Sequence, residues 1–294
     1  MTSALAALIA KLQHEDRRCT PTAITPMTGG ISASVHRVDG TWSDGTRAQL
    51  IVRQHRVMPG KDAPEVRAAK EWALLQALTN HQIAAPRPIA YLPPDTLVLG
   101  FVTGSTGLPA DCAEPLADVL ARMQASPIAG LPALPVYTDP LPALSEMLPH
   151  LEGLEAIARR LPGPPARPCL MHGDFWPGNV LWHEGALQAV IDWEDAGLGD
   201  PLIDVACARI ELERLNGAGA VDRFTAAWLR RTGADLSRLP LWDLFMAAAV
   251  LTHAHQWGLS DAGLRDRLDV ARAWQIRALA ELGLAPSEGQ RAAR

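Results

Sequence analysis

Apolar and polar residues alternate with a strand-like period in the first third of the chain and with a helix-like period afterwards. The segment Thr28–Val38 places a glycine pair before an alternating run, and Ala48–Arg53 reads as a further strand. Between Pro64 and Asn80, the residues Val66, Ala69, Ala73, Leu74, Ala77 and Leu78 recur at helical spacing. Pro86–Ala90 reads as a loop, and Thr96–Gly104 as a strand with a glycine-bearing exit. After Gly104 the periodicity is helical, interrupted by proline-rich connections at 127–149 and 161–168. Within that region, Val180–Trp182 and Leu187–Ile191 flank His183-Glu184-Gly185, the pattern of a β-hairpin. The pattern predicts an α+β chain with two lobes: residues 1–100, an antiparallel sheet with one helix, and residues 101–294, mostly helical.

Composition narrows the class without identifying it. With 294 residues, 48% hydrophobic content and a net charge of −5, the chain can bury one large or two moderate cores and is not a basic nucleic-acid binder. Only three of its 27 basic residues are lysine, a bias that GC-rich coding explains without reference to function. The N-terminus lacks a charged region followed by a sustained apolar stretch, and Met246–Leu251 is too short to span a bilayer. Cys19, Cys112, Cys169 and Cys207 form no C-x-x-C pair, which argues against a zinc site and predicts reduced thiols in the cytoplasm. Nothing in the sequence sets an oligomeric state.

The chemistry concentrates in His172-Gly173-Asp174-Phe175-Trp176-Pro177-Gly178-Asn179, followed after the hairpin by Ile191-Asp192-Trp193. An Asp and an Asn in D-x-x-x-x-N spacing, with a second Asp beyond a short apolar run, is how a kinase holds a hydroxyl and a metal-bound triphosphate together. Phosphoryl transfer leaves a protein little covalent work; it needs oxygen ligands for magnesium and a carboxylate that orients the attacking hydroxyl. These requirements assign Asp174 as catalytic base and Asn179 and Asp192 as metal ligands. The hairpin is expected to bring Asn179 and Asp192 close. Two other readings stay open: a metal-dependent hydrolase using His172, Asp174, Asp192 and Asp200, and a catalytically idle nucleotide-binding module.

These motifs, with Gly199-Asp200-Pro201-Leu202-Ile203-Asp204, resemble those of the aminoglycoside phosphotransferase and choline kinase superfamily. The resemblance spans most of the chain and implies a protein-kinase-like fold and transfer of the γ-phosphate of ATP, with magnesium, to a hydroxyl of a small molecule. It makes residues 1–100 the nucleotide-binding lobe and residues 101–294 the catalytic and substrate-binding lobe. Gly29, Gly30 and Ser32 then lie in the hairpin over the phosphates, with Ala33 where an Asn is often found. Arg53 stands at the position of the phosphate-binding lysine, and Glu71, with Glu65 as the competing choice, pairs with it. Leu99 and Phe101 flank Gly100 in the hinge whose backbone would bond the adenine. Asp200 and Asp204 hold the active-site loops, with Asp200 able to cap the helix that begins near Pro201.

On the acceptor side, Glu194, Asp195, Glu211 and Glu213 put carboxylates near the catalytic segment and would suit a cationic acceptor, although a solvated helix face explains Glu211 and Glu213 equally. His253 and His255 point to different faces of a helix. Trp228, Trp242, Trp257 and Trp274 fit helix packing before an aromatic cage.

Overall fold

A computed structural model describes Ile9 and residues 12–14, 17–27, 30–81 and 83–284. Its first compact unit contains the described residues up to Ser105 together with Ala129–Ala133 and Leu181–Glu194. Six strands form its sheet: β1 (Gln13–His14), β2 (Arg17–Met27), β3 (Ala33–Trp42), β4 (Arg47–His55), β5 (Pro88–Leu92) and β6 (Thr96–Gly100). They run in the order β1-β2-β3-β4-β6-β5, and every pairing is antiparallel.

Strand pleating sorts β4 onto two faces. Ala48, Leu50 and Val52 enter a core with Val38, Trp42 and Val98. Arg53 and His55, which occupy alternate positions with the other parity, face helix α1 (Pro64–Leu78) through Glu71. Proline at the first turn starts α1 where a missing N–H costs nothing. The apolar stripe expected on α1 is rotated from the buried face: Arg67, Ala68, Glu71, Leu74, Leu75 and Leu78 are buried, whereas Val66 and Ala69 are exposed. The cause is that α1 buries ionic side chains against partners on the sheet, which hydrophobic periodicity alone does not register.

The hairpin predicted from the chain is present as Val180–His183 and Ala186–Val190. Its two-residue turn puts Glu184 and Gly185 at φ of 50° and 78°, the left-handed pair that suits the strand twist. All of this hairpin except Val180 belongs to the first unit.

The second unit comprises Thr106–Ile128, Leu134–Val180 and the residues from Asp195 onwards. It contains helices α2 (Ala113–Ala125), α3 (Leu141–Met147), α4 (Leu154–Ala158), α5 (Leu202–Asn216), α6 (Ala218–Thr232), α7 (Leu239–His253) and α8 (Asp261–Glu281). Three short strands, Val136–Tyr137, Gly197–Gly199 and Cys169–Met171, form a small sheet that fixes the start of the His172–Asn179 loop. Trp228, Trp242 and Trp274 are fully buried among the helices, as their expected packing role requires. No helix among the described residues is long and apolar enough to cross a membrane.

Candidate active site

The expected site residues fall into two groups. Thr28 and Gly29 lie outside the described residues. In the second unit, Met171 ends a strand and the chain turns at Gly173, whose φ is 81°. A side chain there would meet the Asp195 carbonyl oxygen at 2.2 Å, so both backbone conformation and space require glycine. Asp204 in the first turn of α5 accepts hydrogen bonds from the backbone N–H groups of His172 (2.7 Å) and Gly173 (2.9 Å). Burial pushes its carboxyl up to about 7, against the opposing pull of those two donors. The His172 ring is fully buried, and its Nδ1 accepts from the Asp174 N–H at 3.3 Å.

The loop then closes through a turn at Pro177–Asn179, with the Asn179 N–H on the Trp176 carbonyl at 2.9 Å. Gly178 is needed because a Cβ there would fall 2.1 Å from the Trp176 ring. The turn aims the Asn179 carboxamide at Asp174: Nδ2 donates to the Asp174 carbonyl and to its carboxylate Oδ2, both at 2.9 Å. The carboxylate is thereby fixed in rotation. Cys207 on α5 approaches Oδ1 at 4.0 Å, and burial first, then the Asp174 charge, raises its thiol well above the usual range. Sequence reasoning assigned Cys207 no role beside Asp174. Its spacing of three from Asp204, on one face of a helix, was the available signal.

Asp200 acts as expected of a structural residue. Its Oδ1 accepts from the Leu202 N–H (3.1 Å), capping α5, and Oδ2 accepts from Arg238 Nε (3.1 Å) and Trp242 Nε1 (2.9 Å). With both oxygens engaged and the residue buried, Asp200 is not a metal ligand, which removes one member of the hydrolase set.

In the first unit, Arg53 and Glu71 pair at 3.2 Å, and the competing Glu65 is exposed. The pair belongs to a larger cluster. Arg53 Nη2 also meets Asp192 Oδ1 at 2.5 Å and Glu194 Oε2 at 3.0 Å, and lies 3.5 Å from the Ser32 hydroxyl. His55, two residues along the same strand face, bridges Glu71 Oε2 (2.9 Å) and Glu194 Oε2 (3.2 Å) in contacts that are ionic and poorly aligned as hydrogen bonds. Burial pushes the imidazole down, but the two carboxylates outweigh it and raise its pKa. Arg67 Nη1 and Lys61 Nζ complete the coordination of Glu194 at 2.9 and 3.0 Å. Burial alone would raise Glu194; His55, Arg53 and Lys61 hold it well below the usual carboxylate range.

Arg53 thus turns its Nε and Nη2 edge to carboxylates, and no described residue takes Nη1. Asp192 follows the hairpin at φ 69°, a left-handed conformation uncommon for a side-chain-bearing residue and a form of strain typical of functional positions. Gly30 makes a tight turn: a Cβ there would meet the Ala33 carbonyl at 2.7 Å.

The Phe101 N–H donates to the Gln49 carbonyl at 3.0 Å, and Leu99 is paired with Ile51 and Pro88 in the sheet. Strand β6 therefore engages the Phe101 N–H, because the sheet pairing continues one residue past Gly100. The Phe101 ring packs under the Arg37 guanidinium, 4.3 Å away. The carboxylates expected to attract a cationic acceptor are also engaged. Glu194 lies in the buried cluster, Glu213 binds Arg277 through both oxygens (2.9 and 3.0 Å), and Glu211 is shared by Arg214 and Arg267.

Comparison with known proteins accords with this arrangement. The chain belongs to the phosphotransferase enzyme family, whose model matches residues 23–242. It is similar to acyl-CoA dehydrogenase family member 11 of Rattus norvegicus, 29% identical over 120 residues, which cover 35% of this chain and 15% of that protein. It is also similar to the thiamine kinase of Escherichia coli K12, 26% identical over 193 residues, which cover 64% of this chain and 66% of the relative. The chain thus matches less than two thirds of the length of either relative. A thermostable aminoglycoside phosphotransferase solved with ADP and hygromycin B has a TM-score of 0.58 at 18% identity, covering 90% of this chain and 94% of that one. The fold is the protein-kinase-like α+β fold of these phosphotransferases.

Proposed function

We propose that the protein transfers the γ-phosphoryl group of ATP to a hydroxyl of a small molecule, in the cytoplasm, with magnesium. Residues 1–100 act mainly on the nucleotide and residues 101–294 on the acceptor. The observation that carries this reading is the Asp174 carboxylate fixed by Asn179 on a loop whose backbone is clamped by Asp204. A carboxylate held in this way suits a base that must meet an acceptor hydroxyl in one orientation.

The residues fit the implied groups. Asn179 donates to Asp174 through Nδ2, and its amide oxygen and the Asp192 carboxylate are hard donors of the kind magnesium prefers. Bound there, magnesium would neutralise charge on the phosphate oxygens. Arg53 presents Nη1 as a phosphate donor while Glu71, Glu194 and Asp192 fix its other edge, and arginine suits phosphate oxygens geometrically. Gly30 and Ser32 provide the close turn beside it. Asp174 takes the hydroxyl proton as the acceptor oxygen attacks, and the loose transition state needs little more than alignment.

The test is calorimetric titration of Mg-ATP into wild type and Asp192→Asn over a magnesium series. Loss of the carboxylate should move half-saturation to higher magnesium and weaken nucleotide binding by about tenfold. An unchanged magnesium dependence would remove Asp192 from the metal site.

A further inference from the structure

Trp176, two residues past Asp174, and Trp257, just after α7, both lie against the Arg267 guanidinium. The ring centroids are 5.3 and 5.5 Å from its central carbon. The third contact is Glu211, whose Oε1 takes a close ion pair from Arg267 Nη1. Two indoles and a carboxylate are the groups that proteins use to enclose an organic ammonium ion, through cation–π attraction and charge neutralisation. Here the chain's own guanidinium occupies that position. The cluster adjoins the catalytic loop by two routes: Trp176 is part of the loop, and Cys207, one turn before Glu211 on α5, touches Asp174 Oδ1.

The charge balance shows what a ligand would meet. Glu211 also pairs with Arg214 at 2.9 Å, and Asp266 pairs with Arg214 at 3.3 Å. Arg214 and Arg267 therefore match Glu211 and Asp266 one for one, so these four groups carry no net charge toward a cation.

We propose that Arg267 fills a Trp176–Trp257–Glu211 cage from within and thereby makes the protein select a hydroxyl acceptor whose head group is uncharged over one bearing an ammonium group. The inference rests on the phosphotransferase reading for the word acceptor, but the cage is testable by binding alone. Choline and tetramethylammonium are titrated calorimetrically, without nucleotide, into wild type, Arg267→Ala and the double variant Arg267→Ala with Trp176→Ala. Emptying the cage should tighten binding of both cations by about tenfold or more, and removal of the indole should abolish that gain. Equal affinity in wild type and Arg267→Ala, or a gain that survives loss of Trp176, would overturn the proposal.

The wild type supplies an arm that needs no variant to fold. Choline is compared with the neutral alcohol in which carbon replaces its nitrogen, by quenching of tryptophan fluorescence. The neutral alcohol should bind about tenfold more tightly, and any smaller preference counts against the proposal. Failure of phosphoryl transfer itself would be seen separately, as no acceptor-dependent ADP release with any compound, and would leave these binding results standing.

Discussion

At the scale of single residues, Asp174 is distinguished by how completely its surroundings fix it: Asn179 on one carboxylate oxygen, Cys207 near the other, and His172 under its N–H. Asp174→Asn keeps this shape and removes the proton-accepting charge. Transfer should fall by about a hundredfold or more while Mg-ATP affinity stays unchanged, as turnover and calorimetry would show. Arg53→Ala should weaken ATP binding, and Glu71→Ala should do so to a lesser degree; unchanged ATP kinetics in folded Arg53→Ala would mean that another cation grips the phosphates. The sequence displayed Asp174, Asn179, Asp192, Arg53 and Glu71 through residue type and spacing. It displayed Glu194 only as an acceptor-side carboxylate and not as a member of the buried cluster, whose partners lie up to 141 residues away. His55 and Arg67 had readable signals that went unused: one shares a strand face with Arg53, the other lies four residues before Glu71 on a helix.

At the scale of elements, α5 carries the supports of the catalytic loop. Asp200→Ala would remove the cap of α5 and leave Arg238 buried without its carboxylate, a loss of roughly 3–5 kcal/mol measurable by chemical denaturation. A loss below about 1 kcal/mol would show that Asp200 is dispensable to the helix. Asp204 makes a pH-dependent contribution. Its folded pKa, about 7, lies above the ordinary value of 3.8, so the stability linked to its proton is fully present below about 3.8 and lost as pH rises through about 7. The wild type should therefore lose stability between pH 6 and pH 8 more steeply than Asp204→Asn, which also starts lower because its amide cannot accept both N–H bonds. Parallel pH profiles would assign the slope to other groups. His55, whose pKa is also raised, adds a component of the same sign in both proteins, so only the difference between the profiles reports Asp204.

At the scale of the molecule, the alternation of β3, β4 and β6 and the helical run of α1 were legible because each has one apolar face that must be buried. Two features were not. The hairpin after Asn179 packs with the first unit although it interrupts the second in sequence, a long-range choice that local periodicity does not encode. The orientation of α1 is set partly by the ions it buries, so apolar spacing finds Leu74 and Leu78 on the buried face but also puts the exposed Val66 and Ala69 there.

The central claim, transfer of phosphate to a hydroxyl with Asp174 as base, is tested most directly by coupled ADP release across a panel of acceptors. The panel covers aminoglycosides, macrolides, choline, ethanolamine, homoserine, sugar amines and neutral alcohols, with wild type and Asp174→Asn side by side. At least one hydroxyl compound should raise ADP release about tenfold or more above ATP alone, with the phosphate recovered on its oxygen, and Asp174→Asn should abolish that increment. A substrate broken down with metal at the same rate whether or not nucleotide is present, or an acceptor-dependent increment untouched by Asp174→Asn, would contradict the account.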